Sequence, residues 1–448
     1  MNPAEPASER RNRPAPHGRQ AQANRIEGLW EAVFSRENLT RALKRVESNR
    51  GAPGMDGMST AELRPWLARH WGEVRKALDA GTYRPAPFRR VMIPKPDGGE
   101  RELGVPTVLD RLIQQAVAQV LTPIFDPGFS ESSFGFRPGR GAHQAVEAAR
   151  TYVAEGYKWV INVDLERFFD RVQHDALMAR VARKVADRRL LRLIRRYLEA
   201  GVLVEGVKQA GEEGTPQGSP ISPLLSNIML DDLDRELERR GHRFVRYADD
   251  IRIHVRSERA GKRVLAGIAD VLRQRLKLRV NEAKSSVRHA ARAVLLGFGF
   301  VNRGSRGVGI RVDPKALEKM RRRVRRLTSR AWSIPMERRI GRLNRYIAGW
   351  SAYFGLADTG TPFEFTDKWL RRRLRQVRWR EWKRPAARRE NLRRLGLRPD
   401  TAERVGGYGR GHWHISGSTA LQQALPNAYW DRIGLVGFSA RWHRCRPA

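Results

Sequence analysis

The sequence is short of three things, and each shortage removes a class of protein. Cysteine occurs once, at Cys445, so neither an intramolecular disulfide nor a cysteine-built zinc cluster is available, and the fold rests on packing. No apolar run approaches the roughly 20 residues needed to cross a bilayer. Acid is scarce: 48 Asp and Glu stand against 87 Lys and Arg, a formal net charge of +39. A surplus of that size repels itself unless a polyanion screens it. RNA or DNA is the natural polyanion, because phosphates bind basic surfaces whatever the base sequence.

At 448 residues the chain exceeds one typical domain, and two or three are expected. The opening MNPAEPASERRNRPAPHGRQ lacks the apolar middle of a secretory signal, so residues 1–24 read as a disordered basic arm and a bacterial-type cytoplasm is expected. Over residues 25–312 helical patterns alternate with short strand-like runs, the mark of a mixed α and β domain whose sheet is assembled from distant segments. Residues 313–384 turn helical and arginine-dense. There Leu370, Leu374 and Val377 fall at i, i+4 and i+7, which leaves the arginines outward and, with Trp369, Trp379 and Trp382 between them, suggests an RNA groove. Residues 385–448, including VGGYGRGHWHISGS, read as a loop-rich basic appendage with a possible role in DNA binding.

Chemistry concentrates at RYADDIRIHV. Ile251, Ile253 and Val255 alternate with Arg252 and His254 as in a strand, and FVRY on the other side reads as its partner. The hairpin turn then falls at Ala248, Asp249 and Asp250. Adjacent carboxylates repel one another, which serves no purpose in a structural turn but becomes a binding force when a divalent cation arrives. A further carboxylate, Asp164, closes the buried-strand pattern of Val160, Ile161 and Val163. Side-by-side strands would join the three acids into an oxygen-only site suited to two Mg²⁺ ions and to phosphoryl transfer, with a primer hydroxyl as nucleophile.

These residues resemble the reverse transcriptase and maturase proteins encoded by group II introns. The blocks that carry the resemblance run in order: NRGAPGMDG, IPKPDGGERELGVPTVLDRLIQQAV, SFGFRPGRGAHQAV, VDLERFFD, GTPQGSPISPLLSNIMLDDLD, YADD, NEAKS and LGFGF. The resemblance implies a right-hand polymerase of α+β class, with fingers and palm around an antiparallel sheet and an α-helical thumb or maturase domain after it. It implies that Asp164, Asp249 and Asp250 are catalytic and hold the metal, with the backbone carbonyl of Leu165 as a further ligand. Lys95 and Arg101 fall where the family's fingers meet the triphosphate of the incoming dNTP. Phe169 stands at the gate that crowds a ribose 2′-hydroxyl, while Phe168 packs in the core. Gln217 and Gly218 match the strip beneath nucleotide and template, and Lys284 the lysine that approaches the leaving phosphates.

Beyond these blocks RLNRYIAGWSAYFG, residues 342–355, resembles the segment that grips intron RNA. Arg345, Tyr346, Trp350, Tyr353 and Phe354 are the candidate RNA contacts, although Tyr346, Trp350 and Phe354 recur every four residues, the spacing with which a helix packs a core. Many family members carry a terminal endonuclease of paired cysteines and histidines. Cys445 alone, with His412 and His414 as surface or packing residues, predicts an endonuclease-lacking type with no zinc. The implied partners are intron RNA, an RNA template with a DNA primer, and dNTPs. Two alternatives stay open: an RNA-binding splicing factor with a vestigial polymerase, and a retron or defence-type reverse transcriptase.

Overall fold

Ile251 and Ile253, two positions apart, share one face of a strand, and both are fully buried. Among the described residues, a computed structural model places eleven strands in three sheets. The structure describes residues 26–94, 100–204, 207–209, 218–409 and 411–445. The strands are β1 (Phe88–Pro94), β2 (Glu100–Val105), β3 (Trp159–Val163), β4 (Val202–Val204), β5 (Val207–Gln209), β6 (Arg243–Tyr247), β7 (Asp250–Val255), β8 (Ser286–His289), β9 (Val294–Leu295), β10 (Phe298–Asn302) and β11 (Val308–Val312).

The described residues divide into two units: those within 26–141, 161–253 and 259–287 form the first, and those within 142–160, 254–258 and 288–445 the second. In the first unit β2, β1, β4 and β5 form one sheet in that order. There β1 and β2 pair antiparallel from Arg89 opposite Val105 to Pro94 opposite Glu100, and β1 runs parallel to β4. The sheet that matters for chemistry has the order β6-β7-β3-β8, which sets two distant segments, β3 and β7, edge to edge. Helix Ser222–Arg239 packs on β6, burying Leu225, Ile228, Met229, Leu233 and Leu237. Each such side chain contributes about 1.5–3 kcal/mol when fully removed from water.

In the second unit β9, β10 and β11 form an antiparallel sheet, followed by the long helices Pro314–Leu327, Met336–Phe354 and Thr361–Glu381. Leu370, Leu374 and Val377 are buried as their spacing requires. The arginines of that helix are not all outward, however. Arg375 is buried, its Nε donates to the Ser416 carbonyl at 2.9 Å, and burial lowers its pKa to about 10. Trp379 and Trp382, expected to line a groove, sit in the hydrophobic core, while Trp369 stays partly exposed beneath the guanidiniums of Arg325 and Arg373.

The tail also differs from a loop-rich appendage. It forms six short helices between Pro385 and Arg444. Trp430, Phe438 and Trp442 plug into the same core as the long helices. The Asp367 carboxylate accepts the Phe438 and Ser439 amides at 2.7 and 2.9 Å, capping the last helix from a different element. Helices of four to ten residues show too few turns for a periodic signal, so only the packing reveals them.

Candidate active site at the carboxylate turn

Two residues, Ala248 and Asp249, connect β6 to β7. Ala248 adopts φ +58°, a left-handed conformation at the first turn position where glycine is the usual occupant. Holding alanine there costs on the order of 1 kcal/mol, so the surroundings must impose it.

They do so through Arg246, whose side chain is wholly buried. Its guanidinium donates to Asp234 Oδ1 at 2.8 Å and Oδ2 at 2.5 Å, to Asn227 Oδ1 at 2.8 Å and to the Ala248 carbonyl at 3.0 Å. From the opposite side the segment Ser132–Phe134 pairs with the Arg246 backbone: the Arg246 amide donates to Ser132 O and the Phe134 amide to Arg246 O, both at 2.8 Å. Gly135 follows, and a Cβ there would lie 2.3 Å from the Ala248 nitrogen. Only glycine lets this backbone lie against the turn. Asn227 closes the circuit by donating to the Gly135 carbonyl at 2.9 Å. Phe136, left-handed at φ +57° and exposed, faces the Tyr247 ring at 6.2 Å.

Asp164 lies one residue beyond β3 and is clamped by the segment 281–285. Its amide donates to Ser285 Oγ at 3.0 Å, and its carbonyl accepts the Asn281 amide at 2.8 Å. Leu165 pairs with Val280, and the Glu166 amide donates to the Arg279 carbonyl at 2.9 Å. Lys284 is thereby brought beside Asp164 with its side chain exposed.

Period two puts Asn162 on the same strand face as Asp164, and Arg252 on that of Asp250. Because β3 and β7 are neighbours, these meet: the Arg252 guanidinium donates to both Asn162 Oδ1 and Asp250 Oδ1. Burial raises the Asp164 pKa, and the charge of Asp249 adds to the rise against the pull of Lys284, Arg252 and Asn281. Burial likewise raises Asp250, aided by Asp249 and Asp164 and opposed by Arg252. The charge of Asp249 thus reaches both Asp164 and Asp250, and that of Asp164 reaches Asp250. Among the described residues, no three acidic, imidazole or thiol side chains form a ready metal cage. Asp250 is turned toward Arg252 rather than standing open. The donor set nonetheless fits Mg²⁺, which takes one or two carboxylates and completes its shell with water and substrate phosphates.

Of the remaining predicted residues, Phe168 is buried, while Phe169 is half-buried and meets it edge to face at 5.2 Å. Gly218 has φ +106°, and a Cβ there would meet the Gly104 carbonyl at 3.1 Å. The Arg101 backbone is paired opposite Ile93. Lys95 and Gln217 lie outside the described residues. In the second unit Trp350 and Phe354 stack at 4.5 Å and pack on the core, and the Tyr353 hydroxyl donates to the Leu296 carbonyl at 2.9 Å. Arg345 and Tyr346, by contrast, line an open cavity.

The pattern of the reverse transcriptase (RNA-dependent DNA polymerase) family matches residues 93–304, and that of the group II intron maturase-specific domain matches residues 317–396. Protein YkfC of Escherichia coli is 32% identical over 352 residues, covering 69% of this chain and 92% of its own. The chain belongs to the group II intron-encoded reverse transcriptases and maturases. The group II intron-encoded protein LtrA of Lactococcus lactis is 35% identical over 202 residues, 43% of this chain and 32% of LtrA. A 91 kDa protein in the cob intron of Schizosaccharomyces pombe is 35% identical over 216 residues, 46% of this chain and 25% of its own. This reverse transcriptase and maturase thus spans a third or less of the latter two relatives. Both carboxylate segments and Lys284 fall inside the reverse transcriptase match, and Arg345 to Phe354 inside the maturase match.

Proposed function

We propose that the chain copies an RNA template into DNA at Asp164, Asp249 and Asp250, and that its maturase segment holds intron RNA in the spliced fold. The observation that carries this is the convergence of Asp164 with the Asp249 and Asp250 turn, residues more than eighty positions apart whose charges act on one another. Asp164 and Asp249 would hold divalent metal, with Leu165 supplying a backbone oxygen; when bound, the metal neutralises charge on the attacking 3′-hydroxyl and the transferred phosphate. Arg252 opposes the upward shift that burial gives Asp250 and orients it at the rim of the cluster. Lys284 places a cation where the leaving phosphates gather charge. Phe169 occupies space beside the sugar and excludes a 2′-hydroxyl, and Gly218 lets backbone approach the nucleotide closely. Lys95, Arg101 and Gln217 complete the nucleotide contacts in this reading, with an RNA template and a DNA primer as partners.

The test is primer extension on an RNA template by Asp249→Asn combined with Asp250→Ala. Synthesis should fall to background while affinity for intron RNA stays within about twofold, because those substitutions leave the basic surfaces intact. Undiminished synthesis would sink the assigned site. If the unaltered protein incorporates no nucleotide yet binds and splices the intron, the splicing-factor reading replaces this one.

A further inference from the structure

Helix Pro314–Leu327 carries Arg323 and Arg326 three residues apart, and helix Met336–Phe354 carries Arg342, Arg345 and Tyr346 at the same kind of spacing. Each set therefore shares one helix face. The two faces enclose an open cavity of about 790 Å³, floored by Leu327 and walled by Trp332 and Tyr346. That volume lies within the usual range for a small-ligand site. All four arginines are exposed, and none enters an ion pair among the described residues, although neighbouring Arg322 has Glu318 at 3.8 Å.

The wall is built rather than incidental. Arg339, 1% exposed, directs its two terminal guanidinium nitrogens at backbone carbonyls: Leu327 at 2.8 Å, Ser329 at 3.2 Å and Trp332 at 2.6 Å. A buried cation that fixes a loop of carbonyls holds Trp332 in place before any ligand arrives, which lowers the ordering cost of binding. The Arg342 guanidinium carbon lies 4.5 Å from the centre of the Trp332 ring, and both side chains line the cavity. Tyr346 packs one side against the core and leaves the other to the cavity.

We propose that this cavity takes one unpaired nucleotide of a bound RNA strand, its base stacked on Tyr346 or on the Arg342 plane and its flanking phosphodiesters on Arg323, Arg326 and Arg345. The inference rests on the intron-binding reading and deepens it. Guanidinium forks recognise phosphate, and aromatic and guanidinium planes stack on splayed-out bases. A duplex keeps its bases stacked inside and offers no free ring face to a concave site. An inorganic anion would use the arginines but leave the ring surfaces without purpose.

The test compares binding of a labelled single-stranded RNA pentamer with that of an RNA duplex of the same sequence. Tyr346→Leu should weaken the pentamer roughly tenfold, the scale of one lost stacking contact, and the duplex by less than about twofold. Tyr346→Phe should bind the pentamer like the unaltered protein, because the ring remains. Parallel loss of pentamer and duplex, or equal loss with Leu and Phe, overturns the proposal. So does inorganic phosphate competing with the pentamer as well as a nucleoside monophosphate does, or a DNA pentamer binding more tightly than RNA. Should Tyr346→Leu melt the protein, photo-crosslinking of a 4-thiouridine pentamer to the unaltered chain decides: adducts on Trp332 or Tyr346 support the site, and adducts only elsewhere refute it. Intact intron binding with none of these effects defeats the pocket alone, whereas failure of the unaltered protein to prefer intron RNA over a control RNA defeats the underlying reading.

Discussion

Arg246 can be made to report separately on stability and on the shape of the carboxylate turn. Its side chain and that of Asp234 are both 0% exposed. Arg246→Met removes the charge that opposes the effect of burial on Asp234, whose pKa is already raised. Breaking one partner of a buried pair costs about 3–5 kcal/mol. Adding Asp234→Leu removes the stranded carboxylate, and replacing a buried pair with apolar side chains is often neutral or better. Two acceptors still lose a donor, Asn227 Oδ1 and the Ala248 carbonyl. Each such loss costs about 1–3 kcal/mol, so recovery of stability should be partial. Urea unfolding measures that recovery directly. Activity should not recover with it, because the hydrogen bond that holds the left-handed Ala248 is absent from both variants; misplacement of Asp249 by about 1 Å predicts a loss near 10²-fold in primer extension. If the double variant extends primers at the unaltered rate, Arg246 does not shape the turn and the positioning argument is wrong.

Gly135→Ala should be more damaging than its size suggests, since the new methyl meets the Ala248 backbone at 2.3 Å; primer extension should drop at least tenfold, and an unchanged rate would show that the contact yields freely. Phe169→Val should admit ribonucleotides, read as incorporation of rNTP against dNTP on the same template, and unchanged discrimination would remove Phe169 from the gate. Asp231 has a pKa raised to about 6 by burial, one carboxylate oxygen without a hydrogen bond, and Arg235 no closer than 3.7 Å. The folded state thus holds a proton that the unfolded chain releases at lower pH, so stability falls as pH rises from about 4 to 6. At 1.36 kcal/mol per pKa unit the difference is about 3 kcal/mol, nearer 2 after allowance for the 26% exposure of the side chain. Asp231→Asn should recover that amount at neutral pH and flatten the profile in urea titrations; a destabilised variant would refute the sign. Intron affinity should fall about 10³- to 10⁵-fold between 50 and 200 mM salt if six to ten phosphates are contacted, and a flat response would contradict the role given to the basic surface.

The carboxylate cluster was legible in the sequence because both of its parts sit on strands, where alternation marks the buried face and the acid appears at the strand's end. Arg252 and Asn162 obey the same alternation, but alternation alone does not say whether a polar residue in a strand meets solvent or a residue of the neighbouring strand. Arg246 was not legible. Its partners Asp234, Asn227 and Gly135 come from three other segments, and nothing local distinguishes a buried arginine from an exposed one. The tryptophans show the converse: interleaving with arginine suggests a surface, but Trp379 and Trp382 are buried in the core.

The clamp on Asp164 has one last consequence. Its amide and its carbonyl are both tied to the stretch that bears Lys284, so in the proposed reaction the Asp164 carboxylate and the Lys284 cation are mounted on one bracket. A shift of that bracket moves the backbone that carries both. Replacements that alter its length therefore disturb both ends of the reaction at once, and a matched pair of changes is needed to tune either.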